Sequence, residues 1–323
     1  MINKLDDILS EVKGNKKVVL SVSAAHDKEV LLSIKEAVQR EIVTPILIGD
    51  KNKIEQISAE IKFNLDNIRI IQKDTMEECA KTAIQLVSSK EADFVMKGLL
   101  DTSIILKAVL NKEWGLRTDS LLSHVMVYEA DFYPKLLVTT DGGMNIAPNY
   151  EQKVKILITT DGGMNIAPDY NQKVNILKNA IEATKPLGLE NIKVACLAAK
   201  EKVNSKMQAT LDARALQEAA QVGVFGENVI VEGPLAFDLA VSKEAANIKG
   251  FKSKVAGETD IMLMPTIEVG NGIGKALTYF AKAKSAGIIM GAKAPIVLVS
   301  RADSHESKLY SIAYGALVAK YNK

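Results

Sequence analysis

Short apolar runs rich in β-branched residues alternate along this chain with longer segments of helical period, and that alternation restricts the possible folds more than any other feature. Strands separated by helices cannot pair as hairpins, so the pattern predicts an α/β protein built on mainly parallel strands. The first unit is plain: KVVLSV at residues 17–22 reads as a buried strand, Val30, Leu31, Ile34, Ala37 and Val38 mark one helix face, and a second strand follows at 45–49. Further strands are predicted at 68–72, 93–98, 124–128, 135–140, 193–198, 228–232, 260–264, 287–290 and 295–300. Helices are predicted at 76–87 and 102–110, and an amphipathic helix at about 304–320 closes the chain. Ligands of open parallel sheets sit beyond the carboxyl ends of strands, where helix starts present unpaired N–H groups.

The 323 residues are 47% hydrophobic, enough for two domains with substantial cores. The charges nearly cancel, 41 basic against 39 acidic, which argues against a dedicated nucleic-acid or membrane-surface binder and leaves small anions open. The first residues, MINKLDDILSEVKGNKK, lack the apolar core of a secretory signal, and no run approaches the ~20 apolar residues of a membrane span. A cytoplasmic location is therefore expected. Cys79 and Cys196 each lie in an apolar segment and read as reduced core thiols. His26, His124 and His305 are too scattered for a zinc site, so no metal is expected.

Residues 139–158 (TTDGGMNIAPNYEQKVKILI) and 159–178 (TTDGGMNIAPDYNQKVNILK) agree at 16 of 20 positions with no gap between them. Two copies are too few for a solenoid. Only one can fill a single place in a sheet. The second continues into LKNAIEATKPLG as an unbroken helix, so residues 161–178 are expected to supply the native loop and helix.

Four strand ends carry candidate chemistry. After APIVLVS come Ser300, Arg301, Asp303, Ser304 and His305. Arginine is scarce, five of the 41 basic residues, and Arg301 sits where a strand opens into a helix, offering a planar fork to phosphate. Ser304 there is also a natural N-cap. The segment from Pro265 to Lys275 follows an apolar strand. Its Gly270, Gly272 and Gly274 permit either close backbone approach to a ligand or a flexible connection, with Asn271 and Lys275 as polar contacts. It has neither Walker nor dinucleotide-fingerprint spacing. At Met96-Lys97-Gly98-Leu99-Leu100-Asp101-Thr102-Ser103, Thr102 or Ser103 reads as a helix cap or a ligand contact. In the repeat, Asp161 (or its twin Asp141) and Asn165 either orient a ligand or belong to turn chemistry.

Taken in order, MKGLLDTS, GLRTDSLLSHV, LLVTTDGGMNIAP, EGPLAFDLAVSKEAA, VAGETDIMLMPTIEVGNGIGKALTY and APIVLVSRADSHESKL resemble the successive motifs of the phosphate butyryltransferase branch of the phosphotransacylases. The likeness spans nearly the whole chain, which is longer than a typical member by about one repeat copy. It implies a two-domain, parallel-sheet fold related to isocitrate and isopropylmalate dehydrogenases. Residues 1–133 with 288–323 would form the first domain and 134–287 the second. It implies acyl transfer between coenzyme A and phosphate, with both as substrates and no cofactor, in homo-oligomers built from dimers. Ser300 and Arg301 match the family's active-site pair. The family's Asp seven residues after that Ser is Ser307 here, so Asp303, His305 and Glu306 are the local alternatives for the base, with Asp303 favoured. Rival readings are a nicotinamide-dependent decarboxylating dehydrogenase, which would need more arginines and acidic metal ligands, and an inactive CoA-binding relative.

Overall fold

The computed structural model describes residues 2–14, 18–130, 136–137, 158–160, 165, 167–299 and 303–323. They separate into two compact units: a first unit of Leu5–Ser120 with Ala286–Lys323, and a middle unit of Met1–Lys4 with Leu121–Ser285.

The first unit begins with α1 (Leu5–Val12), β1 (Val18–Ser23), α2 (Lys28–Gln39), β2 (Val43–Gly49), α3 (Lys51–Glu60), β3 (Arg69–Gln72), α4 (Met76–Ser88), β4 (Phe94–Lys97) and α5 (Thr102–Val109). The middle unit contributes β5 (Ser123–Glu129), β6 (Leu136–Leu137), β7 (Ile158–Thr160), α6 (Tyr170–Thr184), β8 (Ile192–Leu197), α7 (Gln208–Gln221), β9 (Val229–Leu235), α8 (Phe237–Val241), α9 (Lys243–Ile248), β10 (Ile261–Leu263) and α10 (Ile267–Tyr279). The chain then returns through β11 (Lys284–Met290), β12 (Ile296–Val297) and α11 (His305–Tyr321).

In the first unit the strand order is β3-β2-β1-β4-β12-β11, parallel throughout except for the antiparallel β11–β12 pair. In the middle unit the order is β5-β7-β10-β8-β9. There β7, β10, β8 and β9 are parallel, while β5 is antiparallel to both β7 and β6. Mostly parallel pairing agrees with the alternation in the sequence. The antiparallel pairs were not legible there, because periodicity carries no strand direction.

Local chemistry explains the helix starts. Asp27 Oδ1 accepts from Val30 N at 2.9 Å to begin α2, and Thr75 and Glu78 close a capping box on α4. One expectation is corrected: α11 is not amphipathic. Every residue from Lys308 through Ala319 is buried, because α1 and α2 pack on it as well as β1, β4 and β12. A helix covered on all sides has no solvent stripe. Both cysteines are free and buried, as expected, and burial pushes the Cys196 thiol up to about 12. Among the described residues no helix is long and apolar enough to cross a membrane.

Candidate active site

Three neighbouring parallel strands of the first unit, β1, β4 and β12, end on one edge, and α2, α5 and α11 start from it. Helix starts carry partial positive charge and unpaired N–H donors, so this edge suits an anion.

At α11, Ser304 is the cap: its Oγ accepts from Ser307 N at 3.2 Å. The capping reading of Ser304 therefore holds. His305, half-exposed in the first turn, places Nδ1 3.9 Å from Glu29 Oε2 on α2. Buried Lys308, one turn on, donates from Nζ to the Asp303 carbonyl and so fixes the segment that enters the helix.

At α5 the cap is Asp101, not Thr102 or Ser103, and Asp101 makes no side-chain cap bond. Thr102 and Ser103 occupy the first helical positions and are exposed, so neither takes the capping role expected of at least one of them. The approach to α5 is tightly built. Gly98 N and Leu99 N donate to Ser23 O and Ala24 O, each at 2.8 Å, and a Cβ on Gly98 would overlap both carbonyl oxygens. Lys97, 5% exposed, donates from Nζ to Leu100 O at 3.1 Å and to Gly98 O at 3.4 Å. Its strand partner Ser23 is fully buried, and the Ser23 Oγ has no hydrogen-bond partner.

Lys97, Lys308 and Ser23 escaped the sequence reading. A lysine at a strand end looks like any solvated lysine, and only the fold shows that it turns back on the loop. Thr102, Ser103, Asp303 and His305 are thus brought to neighbouring strand ends. Ser300, Arg301 and Asp161 lie outside the described residues.

The middle unit holds the other candidates. Asn165 Nδ2 donates to Leu122 O at 3.2 Å, and Asn179 Nδ2 donates to Leu121 O at 2.7 Å and Ser123 Oγ at 2.8 Å. Asn165 ties the repeat's second copy, and Asn179 the part of α6 just beyond it, to the start of β5. The glycine-rich expectation is corrected: Gly270, Gly272 and Gly274 lie inside α10, not in a loop. Gly270, Ile273, Gly274 and Leu277 form its buried face at helical spacing, so two of the glycines serve close packing. Asn271 and Lys275 are exposed, Gly272 is half-buried, and Lys275 Nζ stands 6.0 Å from the Tyr279 ring centroid.

Two features of this unit are structural. Buried Lys173 and Asp212 pair at 2.5 Å, with Gln208 donating to the other carboxylate oxygen at 2.7 Å. A groove of about 580 Å³ at the amino ends of β8 and β9 includes Lys193, Lys243 and Glu258 but none of the candidate residues. Hydrogen bonds from Lys193 and Lys243 hold the Glu258 carboxyl down at about 2. Among the described residues no group of three or more His, Cys, Asp or Glu side chains is placed to hold a metal ion.

The chain matches the family described as "Phosphate acetyl/butaryl transferase" over residues 4–83, 73–160 and 155–316, the last two segments meeting at the junction of the repeat copies. It is 40% identical over 319 residues to phosphate butyryltransferase of Clostridium acetobutylicum, covering 99% of each chain. It is also 42% identical over 310 residues to a probable phosphate butyryltransferase of Bacillus subtilis, covering 96% of each. Among solved structures, a branched-chain phosphotransacylase from Enterococcus faecalis V583 superposes with a TM-score of 0.77 at 30% identity, over 94% of this chain and 99% of that one. A mostly parallel α/β sheet, helix starts gathered at its carboxyl edge and similarity along nearly the full length lead to one conclusion: the chain belongs to the phosphate acetyl- and butyryltransferase family.

Proposed function

We propose that this acyltransferase converts butyryl-CoA and phosphate into butyryl phosphate and CoA, reversibly. The observation that carries the reading is the 40% identity to a phosphate butyryltransferase across 99% of both chains. The substrates are then CoA and phosphate themselves, with no resident cofactor or metal, and the setting is the cytoplasm. We further propose that the two compact units are the two domains of a phosphotransacylase fold with wider kinship to isocitrate and isopropylmalate dehydrogenases. The working form is a homo-oligomer built from dimers.

The chemistry we assign is direct transfer in a ternary complex. In the direction of acyl-CoA formation, a base takes the proton of the CoA thiol, the thiolate attacks the acyl phosphate carbonyl, and the C–O bond to phosphate breaks. Arg301 grips the phosphate and Ser300, or a backbone N–H, donates to the oxyanion, a role in which one donor contributes about 3–4 kcal/mol. Asp303 is the preferred base, with His305 as the alternative. Support for the alternative comes from Glu29, whose carboxylate lies 3.9 Å from His305 Nδ1, beyond hydrogen-bond distance but near enough to favour a protonated ring. Thr102 and Ser103, at the uncapped start of α5, and Asp161, Asn165, Asn271, Gly272 and Lys275 from the middle unit are assigned to substrate binding. The α10 residues have the weakest support of these, since they lie on a helix rather than a loop.

The test is thiol release from a panel of acetyl-, butyryl-, isobutyryl- and isovaleryl-CoA on adding phosphate. Release with butyryl-CoA is expected, and silence across the panel would overturn the reading. Arg301→Ala is expected to raise KM for phosphate and lower kcat, costing on the order of 100-fold in kcat/KM. Near-wild-type kinetics would remove its phosphate role.

A further inference from the structure

Beside β5 one strand position is filled from two places in the sequence. β7 pairs with β5 at Val125↔Thr160, Met126↔Thr159 and Val127↔Ile158. Continued past Ile158, that register assigns positions 157 and 156 to Tyr128 and Glu129. The partners found there are Leu137 and Leu136, each 20 positions earlier. The offset equals the length of the repeat.

The sequence makes either supply equivalent. KLLVTTDGG at residues 135–143 and KILITTDGG at 155–163 differ only by exchanges among Leu, Ile and Val. The similarity therefore begins upstream of the 20-residue unit, within the strand itself, and local preference favours neither copy.

Past the loop the choice is closed. α6 runs unbroken from Tyr170 through Lys178 into residues that occur once: Asn179, Ala180, Ile181, Ala183 and Thr184, all buried. If the first copy formed this helix, Asp161 would follow at the place of Ile181 and Gly163 at that of Ala183. The Asn179 bonds to Leu121 O and Ser123 Oγ would also be lost. An acidic side chain forced into an apolar position is excluded by its desolvation cost. The helix must come from the second copy, and the extra chain must leave before Tyr170.

We infer that residues 138–157 are surplus to the fold: a chain lacking them joins Leu137 to Ile158 and builds the same strand, loop and helix. The β5–β7 register and the Asn179 bonds to Leu121 and Ser123 are made by residues outside that segment.

The test compares three full-length proteins: wild type, a deletion of residues 138–157, and a version with those 20 residues replaced by a Gly/Ser linker. Melting temperature and hydrogen exchange of β5 and α6 amides are followed together with thiol release from butyryl-CoA and phosphate. The deletion is expected to melt no lower than wild type, because a shorter connection between fixed ends costs less closure entropy. It should keep kcat/KM within about twofold and leave the protection of α6 unchanged. The linker version should likewise stay folded and active. A deletion variant that unfolds, or a linker variant that loses α6 protection, overturns the inference. If no version releases thiol, the proposed activity fails while melting and exchange still decide whether the segment is surplus.

Discussion

The two units handle buried lysine differently. In the middle unit Lys173 meets a carboxylate, Asp212, at 2.5 Å, buried between α6 and α7. In the first unit Lys97 and Lys308 spend their ammonium groups on main-chain carbonyls, those of Gly98, Leu100 and Asp303, which form the loops entering α5 and α11. A lysine paired with a carboxylate adds no net charge to its surroundings. Lys308, bonded to the Asp303 carbonyl, brings its positive charge to an edge where helix starts already favour anions. The first arrangement holds a unit together; the second shapes the loops that carry the proposed site residues.

The largest effect expected from breaking this contrast is in the middle unit. Asp212→Asn leaves the Lys173 ammonium buried without its counter-charge and should lower unfolding free energy by about 3–5 kcal/mol in denaturant titrations. The phosphate KM of the remaining folded protein should not move. Equal stability in the variant would mean that Lys173 finds another acceptor.

His124 sharpens the contrast next, because in the same unit its buried Nε2 has no hydrogen-bond partner among the described residues, and burial pulls its pKa down to about 4. The folded protein then keeps the ring neutral where the unfolded chain protonates it near 6.5. Stability should be full above about pH 6.5 and fall by about 3 kcal/mol as pH drops to about 4. His124→Gln should flatten that part of the profile, and an unchanged slope would assign it to other groups.

Lys97→Met is the smallest change in stability and the most pointed test of site preparation. Taking the lysine donor from the Leu100 carbonyl, while the Gly98 carbonyl keeps the Leu100 N–H at 3.0 Å, should cost about 1–3 kcal/mol. The phosphate KM should rise by about tenfold, through loosening of the loop that Lys97 pins at the entry to α5. A variant that loses only stability would place Lys97 with Lys173 as a purely structural lysine.

The order of elements was legible because burial on both sheet faces forces continuous apolar runs such as VVLSV and IMLM. The losses come from the same rule. α11 reads as amphipathic because Lys308, Ser311 and Tyr310 are polar letters, yet all are buried, Tyr310 bonding to Asp6 at 2.6 Å and Ser311 accepting from Gly287 N at 2.9 Å. Glycines in α10 read as a loop because spacing alone cannot separate a close helix contact from a flexible connection. In the candidate site, Asp303, His305, Thr102 and Ser103 were found as strand-to-helix junctions. Lys97 and Ser23 were not, since their roles depend on which strands become neighbours.

The anchoring of α6 by residues that occur only once has a consequence for how this gene can change. Because Asn179 and its neighbours fix the downstream end, and the strand accepts either upstream supply, units of 20 residues can be gained or lost at this point without disturbing the rest of the middle unit. Chain length here is set by copying history, and natural variants carrying one or three copies should share a single architecture.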